Sequence, residues 1–306
     1  MCRHSEVAYR PEAECPRWEA FLNEVLGGDA ELVDFVQRAA GYTLTGLAWE
    51  QVVFVLWGCG GNGRGVFLGA LGDVLGGYAA AVPLERLGRG RGELRGVRLA
   101  ASAAGGPVGG LSARRIERLT GPRTLGSSMG RDSNTTPRTA KVWVRASRLP
   151  RLSGSEAGLW ERVCVVPFRS RYGAEASEDG VRPADRGLSE ALRAEREGIL
   201  AWAVRGAVAY RERGLERPSA VREVVDACRC EGDGLDEFIA SACVTGSGHR
   251  VAAGALFEAY EGWAAAAGLG AEERLSHTRF GMLLGERFVR ERREHGREYV
   301  GIALRG

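Results

Sequence analysis

The chain has 306 residues, 44% of them hydrophobic and 26% charged, with a formal net charge of +3. That balance fits a globular protein of one or two domains and by itself selects no charged partner. No stretch approaches the ~20 apolar residues of a membrane span, and MCRHSEVAYR lacks the apolar core of a signal peptide, so the expectation is a cytoplasmic protein. Seven cysteines, odd in number and without a paired CxxC array, point to neither a zinc site nor a disulfide framework. Lys141 is the sole lysine, and with 45 glycines and a great excess of arginine this reads as the coding bias of a GC-rich genome.

In chain order, Arg17 to Leu47 predicts two helices: Trp18, Phe21, Leu22, Val25 and Leu26 form one apolar face, and Leu32, Phe35, Val36, Ala39 and Ala40 the next. Val52 to Gly65 reads VVFVLWGCGGNGRG, a short apolar run ending in glycines. Its composition suits a strand buried on both faces of a parallel sheet. Val66, Phe67, Ala70, Leu71, Val74 and Leu75 then recur at helical spacing until Gly76 and Gly77. Strand, glycine loop and helix is the arrangement that aims backbone N–H groups and a helix N-terminus at a polyanion.

Against the phosphate-loop pattern GxxxxGK[ST], Gly58 and Gly63 match, while Arg64 stands at the lysine and Gly65 at the hydroxyl. The lysine would place a compact ammonium on the β- and γ-phosphates, and the hydroxyl would ligate Mg²⁺. The candidate nucleotide-binding residues are Gly58, Gly60, Gly61, Asn62, Gly63, Arg64 and Gly65.

Ser170 to Gly187, rich in Gly, Ser, Pro and charge, predicts an exposed connection, and Ser189 to Arg213 a helix ended by Gly214 and Pro218. From Leu235 the pattern is that of a small winged-helix domain. Phe238 and Ile239 mark a first helix, Leu256 to Trp263 a second, and Ser276 caps a third carrying Phe280, Leu283 and Leu284; a hairpin follows over Phe288 to Arg305. His277, Arg279 and Arg287 lie on or beside the third helix, and Arg290, Arg292, Arg293 and Arg297 on the hairpin, a footprint suited to DNA phosphates. Glu286, Glu291, Glu294 and Glu298 are interleaved with them and would cancel much of the field on a single solvated face.

Several motifs together resemble one family. ECPRWEAFLNEVLGGDAELVDFVQRAAGYTLTG, the glycine loop, LGGYAAAVPLERL, RIERLTG, KVWVRASRLPRLSGSEAGLWERVCVVPF and GILAWAVRGAVAYRERGL follow one another as in the helicase part of phage and plasmid primases. These are superfamily 3 helicases, a branch of the AAA+ ATPases, whose loop reads GxGxNGKS; Gly58, Gly60, Asn62 and Gly63 occupy the matching positions. The resemblance implies an α/β fold with a P-loop parallel sheet flanked by helices. It implies ATP and Mg²⁺ as cofactors, single-stranded or forked DNA as partner, a homo-oligomeric, hexameric ring, and a separate primase chain. The expected division is an N-terminal helical segment over 1–48, the ATPase core over 49–170, a linker and helical segment over 171–232, and the winged-helix domain over 233–306.

Carried over by position, the resemblance also shows departures. Where the family has a strand ending in acidic residues, this chain has GVRLAASAAGGPVGG, with Ala103 and Ala104 at the carboxylate and no Asp or Glu between Glu93 and Glu117. Glu117 and Arg123 reverse the family's Lys and Asp. Lys141 to Leu149 resembles the family's strand that carries the γ-phosphate sensor, with Ser147 at the position of its Asn, and Arg162 takes that of an arginine finger supplied to a neighbouring subunit. The resemblance thus implies ATP-dependent DNA unwinding, while the loss of Lys, hydroxyl and acid implies impaired hydrolysis. The alternatives are a catalytically inactive DNA-binding or ring-forming subunit and a decayed prophage remnant.

Overall fold

In a computed structural model the described residues are 3–58, 60–87, 94–104, 113–121, 124–125, 136–137, 139–147, 157–175, 181–230, 235–269, 274–293 and 296–305. They form two compact units, one of 1–150 with 158–227 and one of 151–157 with 228–306. The first unit opens with α1 (Pro16–Val25), α2 (Ala30–Leu44), β1 (Val53–Trp57), α3 (Arg64–Leu75), β2 (Ala79–Ala81) and β3 (Leu99–Ala104). Next come α4 (Ala113–Thr120), β4 (Thr124–Leu125), β5 (Thr136–Pro137), β6 (Lys141–Ala146), α5 (Ala157–Trp160) and β7 (Val163–Pro167). It closes with β8 (Arg171–Gly173), β9 (Val181–Pro183), α6 (Leu188–Ala194), α7 (Arg196–Arg213) and α8 (Ser219–Cys230).

Five strands make one parallel sheet in the order β2-β3-β6-β1-β7. Helices cover it, so β1 and β7 read as unbroken apolar runs: Val53 to Leu56 and Val163 to Pro167 are all buried. The parallel α/β architecture expected from the sequence is therefore present. The chain leaves β1 through α3 for β2 at one edge, whereas the strand after β6 lies at the other edge, beyond β1. The loop after β1 thus sits at the carboxyl ends of the strands where the strand order reverses, the place in such sheets where ligands bind.

The main core joins Phe54, Leu56, Trp143, Cys164 and Val166 of the sheet to α1, α2, α3 and α7. Trp18 stacks on Phe67 at 5.6 Å and meets Trp202 edge-on at 5.4 Å, and Phe54 stacks on Trp143 at 4.3 Å. Helices α2 and α7 touch backbone to backbone. A Cβ at Gly41 would lie 2.0 Å from Ala207 N, and one at Gly206 2.1 Å from Gln37 O.

The predicted helix over Ser189 to Arg213 is broken at Glu195, which lies between α6 and α7. The break frees its carboxylate to cap α1, accepting from Arg17 N at 3.0 Å and Trp18 N at 2.9 Å. Helix α1 has no side-chain cap of its own, since Cys15 precedes it, so Glu195 supplies the acceptor and the negative charge that a helix start favours.

The second unit contains α9 (Leu235–Ala242), β10 (Cys243–Ala252), α10 (Ala253–Ala266), α11 (His277–Arg287), β11 (Val289–Arg293) and β12 (Gly296–Leu304). Its antiparallel sheet runs β10-β12-β11. Phe238, Leu256, Tyr260, Phe280, Leu284, Tyr299 and Ile302 form its core. The three helices and the terminal hairpin stand where the hydrophobic spacing places them. Strand β10 is an addition, because Cys243 is its one fully buried residue and its glycines hide any alternation.

Candidate phosphate-binding loop and basic surface

The loop between β1 and α3 is held from several sides. Gly58 donates its N–H to Ala146 O at 3.3 Å, and Phe168 N–H bonds to Trp57 O at 2.8 Å. A side chain at 58 would strike Asn62 Nδ2 and Phe168 O. Gly61, at φ 68°, accepts from Tyr172 N at 2.6 Å, and a Cβ there would lie 2.5 Å from Tyr172 O. Gly63, at φ 89°, precedes the first turn of α3 and packs against Phe21 and Val25 of α1. Both positive φ values suit glycine. Gly60 meets no other atom within 4 Å of where its Cβ would be. Residues 60–65 therefore lead into a twelve-residue helix whose first N–H groups lack helical partners, an anion-seeking end.

Asn62 is 3% exposed, and its Nδ2 lies against Gly58 with no hydrogen-bond partner among the described residues. Its Oδ1 accepts from Arg64 Nε at 2.7 Å. Arg64 is itself buried, and its Nη1 also donates to Leu56 O, at 3.4 Å, and to Ala146 O. The guanidinium at the lysine position is thus turned onto the carbonyl ends of β1 and β6, tying the loop to the sheet. The sole lysine is elsewhere: Lys141 is buried at the amino end of β6, donates to Thr45 O and Thr139 O, and lies 4.7 Å from the Tyr42 ring centroid.

A second cation stands at the loop that sequence reasoning missed. Arg145 is exposed on β6, and a Cβ at Gly65 would lie 3.1 Å from its Nη1. On the neighbouring strand Ala103 is its register partner. The arginine therefore stands beside position 65, where a hydroxyl would ligate Mg²⁺, on the strand next to Ala103 and Ala104, where a carboxylate is expected. In KVWVRA the sequence shows only a charge near the end of an apolar strand, and its place beside Gly65 comes from the sheet order.

Mg²⁺ requires near-octahedral oxygen donors, usually including carboxylates. Gly65, Ala103 and Ala104 offer none from side chains, and no cluster of three or more His, Cys, Asp or Glu that could hold a metal occurs among the described residues. The residues present do not fit Mg²⁺. They do fit an anion.

Ser147 follows β6 directly, beside the carbonyl of Ala146 that meets the loop, and is exposed. Arg162 lies at the amino end of β7: its carbonyl accepts from Val53 N at 2.9 Å, and its Nη1 is 3.4 Å from Thr120 Oγ1. It is thus at the opposite strand ends from the loop of its own chain. Beyond Gly65 a cavity of about 250 Å³ opens along α3, lined by Gly69, Asp73, Ser189, Arg193 and Arg196 among others. Arg193 and Asp73 pair across its rim at 3.3 Å.

In the second unit, β11 and β12 pair Arg290 with Tyr299, Glu291 with Glu298 and Arg292 with Arg297. Directly paired residues share a sheet face and the face alternates along each strand. Arg290 and Arg297 therefore share the face of buried Tyr299, whose hydroxyl donates to Gly281 O of α11 at 3.1 Å. Glu291 and Glu298 take the other face, where Arg250 meets Glu291 at 2.7 Å. Of the interleaved acids, Glu291 and Glu298 do not share a face with these arginines. His277, at the start of α11, joins Arg290, Arg297, Thr278 and Tyr299 around a cavity of about 230 Å³. Arg287 ends α11 half-buried. The side chains of Arg279, Arg292 and Arg293 lie outside the described residues.

No protein-family model matches this chain, and no curated protein matches it. Among solved structures, an apo structure of the NrS-1 C-terminal region aligns with TM-score 0.53 and 12% identity, over 73% of this chain and 53% of that one. Its A-form apo structure gives TM-score 0.52 and 13% identity, over 73% and 52%. JCV helicase aligns at 15% identity over 72% of this chain and 66% of that one, with a TM-score of only 0.28. The chain spans about half the length of the NrS-1 region, and what the two share is the fold.

Proposed function

We propose that this chain is a helicase-like subunit of phage or plasmid replication that binds a nucleotide at the β1–α3 loop, contacts DNA through its second unit, and hydrolyses ATP poorly. The observation that carries this reading is the pairing of a preserved loop with a dismantled catalytic set. The loop lies at the switch point of the sheet with its glycine conformations in place. The lysine position is turned into the sheet, the hydroxyl position is Gly65, and Ala103 and Ala104 stand where the acid is expected. Phosphoryl transfer depends on positioning and charge neutralisation, so losing one such group commonly costs a few kcal/mol of transition-state stabilisation.

The superfamily resemblance and the fold shared with the NrS-1 region support the helicase lineage. The winged-helix reading of the second unit is supported by its helix and strand order, with α11 before the β11–β12 hairpin. A homo-oligomeric ring, with Arg162 serving a neighbouring loop, belongs to the same proposal.

The test is ATP turnover by purified protein with Mg²⁺, with and without single-stranded DNA. The expected result is nucleotide-dependent thermal stabilisation, as binding to the native state requires, with hydrolysis no faster in the presence of DNA. DNA-stimulated turnover on the order of 1 s⁻¹ or more, an ordinary enzyme rate, would overturn impaired hydrolysis. Absence of any nucleotide-dependent shift would overturn the nucleotide site itself.

A further inference from the structure

We infer that the loop takes a di- or triphosphate without a divalent metal, with the Arg145 guanidinium standing where Mg²⁺ would stand. The inference rests on the nucleotide-binding reading above and deepens it.

Two departures that look independent in the sequence meet beside one arginine in the fold. Gly65 removes the hydroxyl and also the Cβ, which would stand 3.1 Å from Arg145 Nη1 and displace that tip by a few tenths of an ångström. Ala103, paired in register with Arg145 on the adjacent strand, stands with Ala104 where the carboxylate is expected. Adjacent strands lie about 4.8 Å apart and paired residues share a face, so an acid at 103 would form an ion pair with Arg145 and draw it off the loop. With alanine there, Arg145 makes no hydrogen bond or ion pair to any described residue and is exposed. A metal ion and a guanidinium cannot share this space, and Gly65, Ala103 and Ala104 offer a metal no side-chain oxygen.

The other side of the loop points to an anion as well. Asn62, nine-tenths buried and more, keeps an unpartnered Nδ2 on the inner side of the loop against Gly58. Arg64 is already bonded to carbonyls of the sheet, so among the loop cations Arg145 is the one directed at the start of α3. A planar guanidinium grips two phosphate oxygens at once, which a point charge does not. Its single charge and fixed donors suit retention of a polyphosphate rather than activation of a water.

Binding of ATP and of inorganic pyrophosphate would be measured by calorimetry in EDTA and again in excess Mg²⁺. The expected result is the same Kd, within about threefold, in both buffers for the native chain, and at least a tenfold loss in EDTA for Arg145→Ala. Arg145→Lys should recover part of that loss. Gly65→Thr should weaken metal-free binding, because its Cβ presses on Arg145. Arg145 is exposed, so these variants keep the fold, which circular dichroism and Tm verify. Binding that needs Mg²⁺ by tenfold or more, or that is unchanged in Arg145→Ala, overturns the inference and leaves the nucleotide site standing. No binding in either buffer overturns both.

Discussion

At the residue scale, the loop shows how one position in a familiar pattern can change its work without leaving its place. Arg64 stands where a phosphate-binding lysine is expected, yet its donors face Asn62 Oδ1, Leu56 O and Ala146 O. Ala146 O would keep the Gly58 N–H, but the buried Asn62 Oδ1 and Leu56 O would lose the guanidinium, and each buried acceptor left short costs about 1–3 kcal/mol. Arg64→Ala should therefore destabilise the first unit by about 3 kcal/mol and lower Tm by on the order of 10 °C, read by thermal melts without any ligand. If Arg64 were only a phosphate ligand, the variant would melt like the parent and lose nucleotide affinity alone. Sequence could show that Lys was replaced, but not which way the guanidinium turns. That direction is set by Ala146 of β6, far away in the chain. Arg145 was illegible for the same reason: its meaning comes from Gly65 and Ala103, brought beside it only by sheet order.

At the element scale, periodicity was most readable where burial is one-sided or complete. Helices α1 and α2 and strand β1 follow directly from their apolar faces and runs. Strand β10 was not readable, since most of its residues are exposed and its order comes from pairing with β12. Nor did the charged, Gly-rich stretch after β7 announce that Tyr172 would bond to the loop at Gly61. The break at Glu195 was hidden for a different reason: the carboxylate's partners are backbone N–H groups of α1, which carry no sequence signal. The α2–α7 contact is similar, because Gly41 and Gly206 look like ordinary composition in a glycine-rich chain. Close backbone packing makes them specific. Gly206→Val should destabilise the first unit by roughly 3 kcal/mol or more, since its Cβ would lie 2.1 Å from Gln37 O and neither helix backbone can yield without disturbing the core. An exposed helical glycine such as Gly69, with nothing within 4 Å, is the control; Gly69→Ala should be neutral or stabilising by up to about 1 kcal/mol in the same melts.

At the scale of the molecule, a net charge of +3 over 306 residues gave little reason to expect a polyanion partner. The fold changes this by sorting charge rather than adding it. Alternation along β11 and β12 puts Arg290 and Arg297 on the face of Tyr299 toward α11, with His277 near, and puts Glu291 and Glu298 on the other face. Arg250 then neutralises Glu291 at 2.7 Å, so the acid side carries its own counter-charge. A linear reading averages these residues to near zero, whereas a phosphate backbone approaching one face meets arginines first. If that face docks on DNA, each phosphate contact releases counterions and steepens the dependence of affinity on salt. Arg290→Glu with Arg297→Glu should lower DNA affinity by tenfold or more near 100 mM salt and reduce the magnitude of the log–log salt slope by about 2. Glu291→Gln and Glu298→Gln, on the opposite face, should change the affinity by less than threefold. Equal effects from the two pairs would mean that DNA responds to net charge alone, and the sorted face would then have no part in binding.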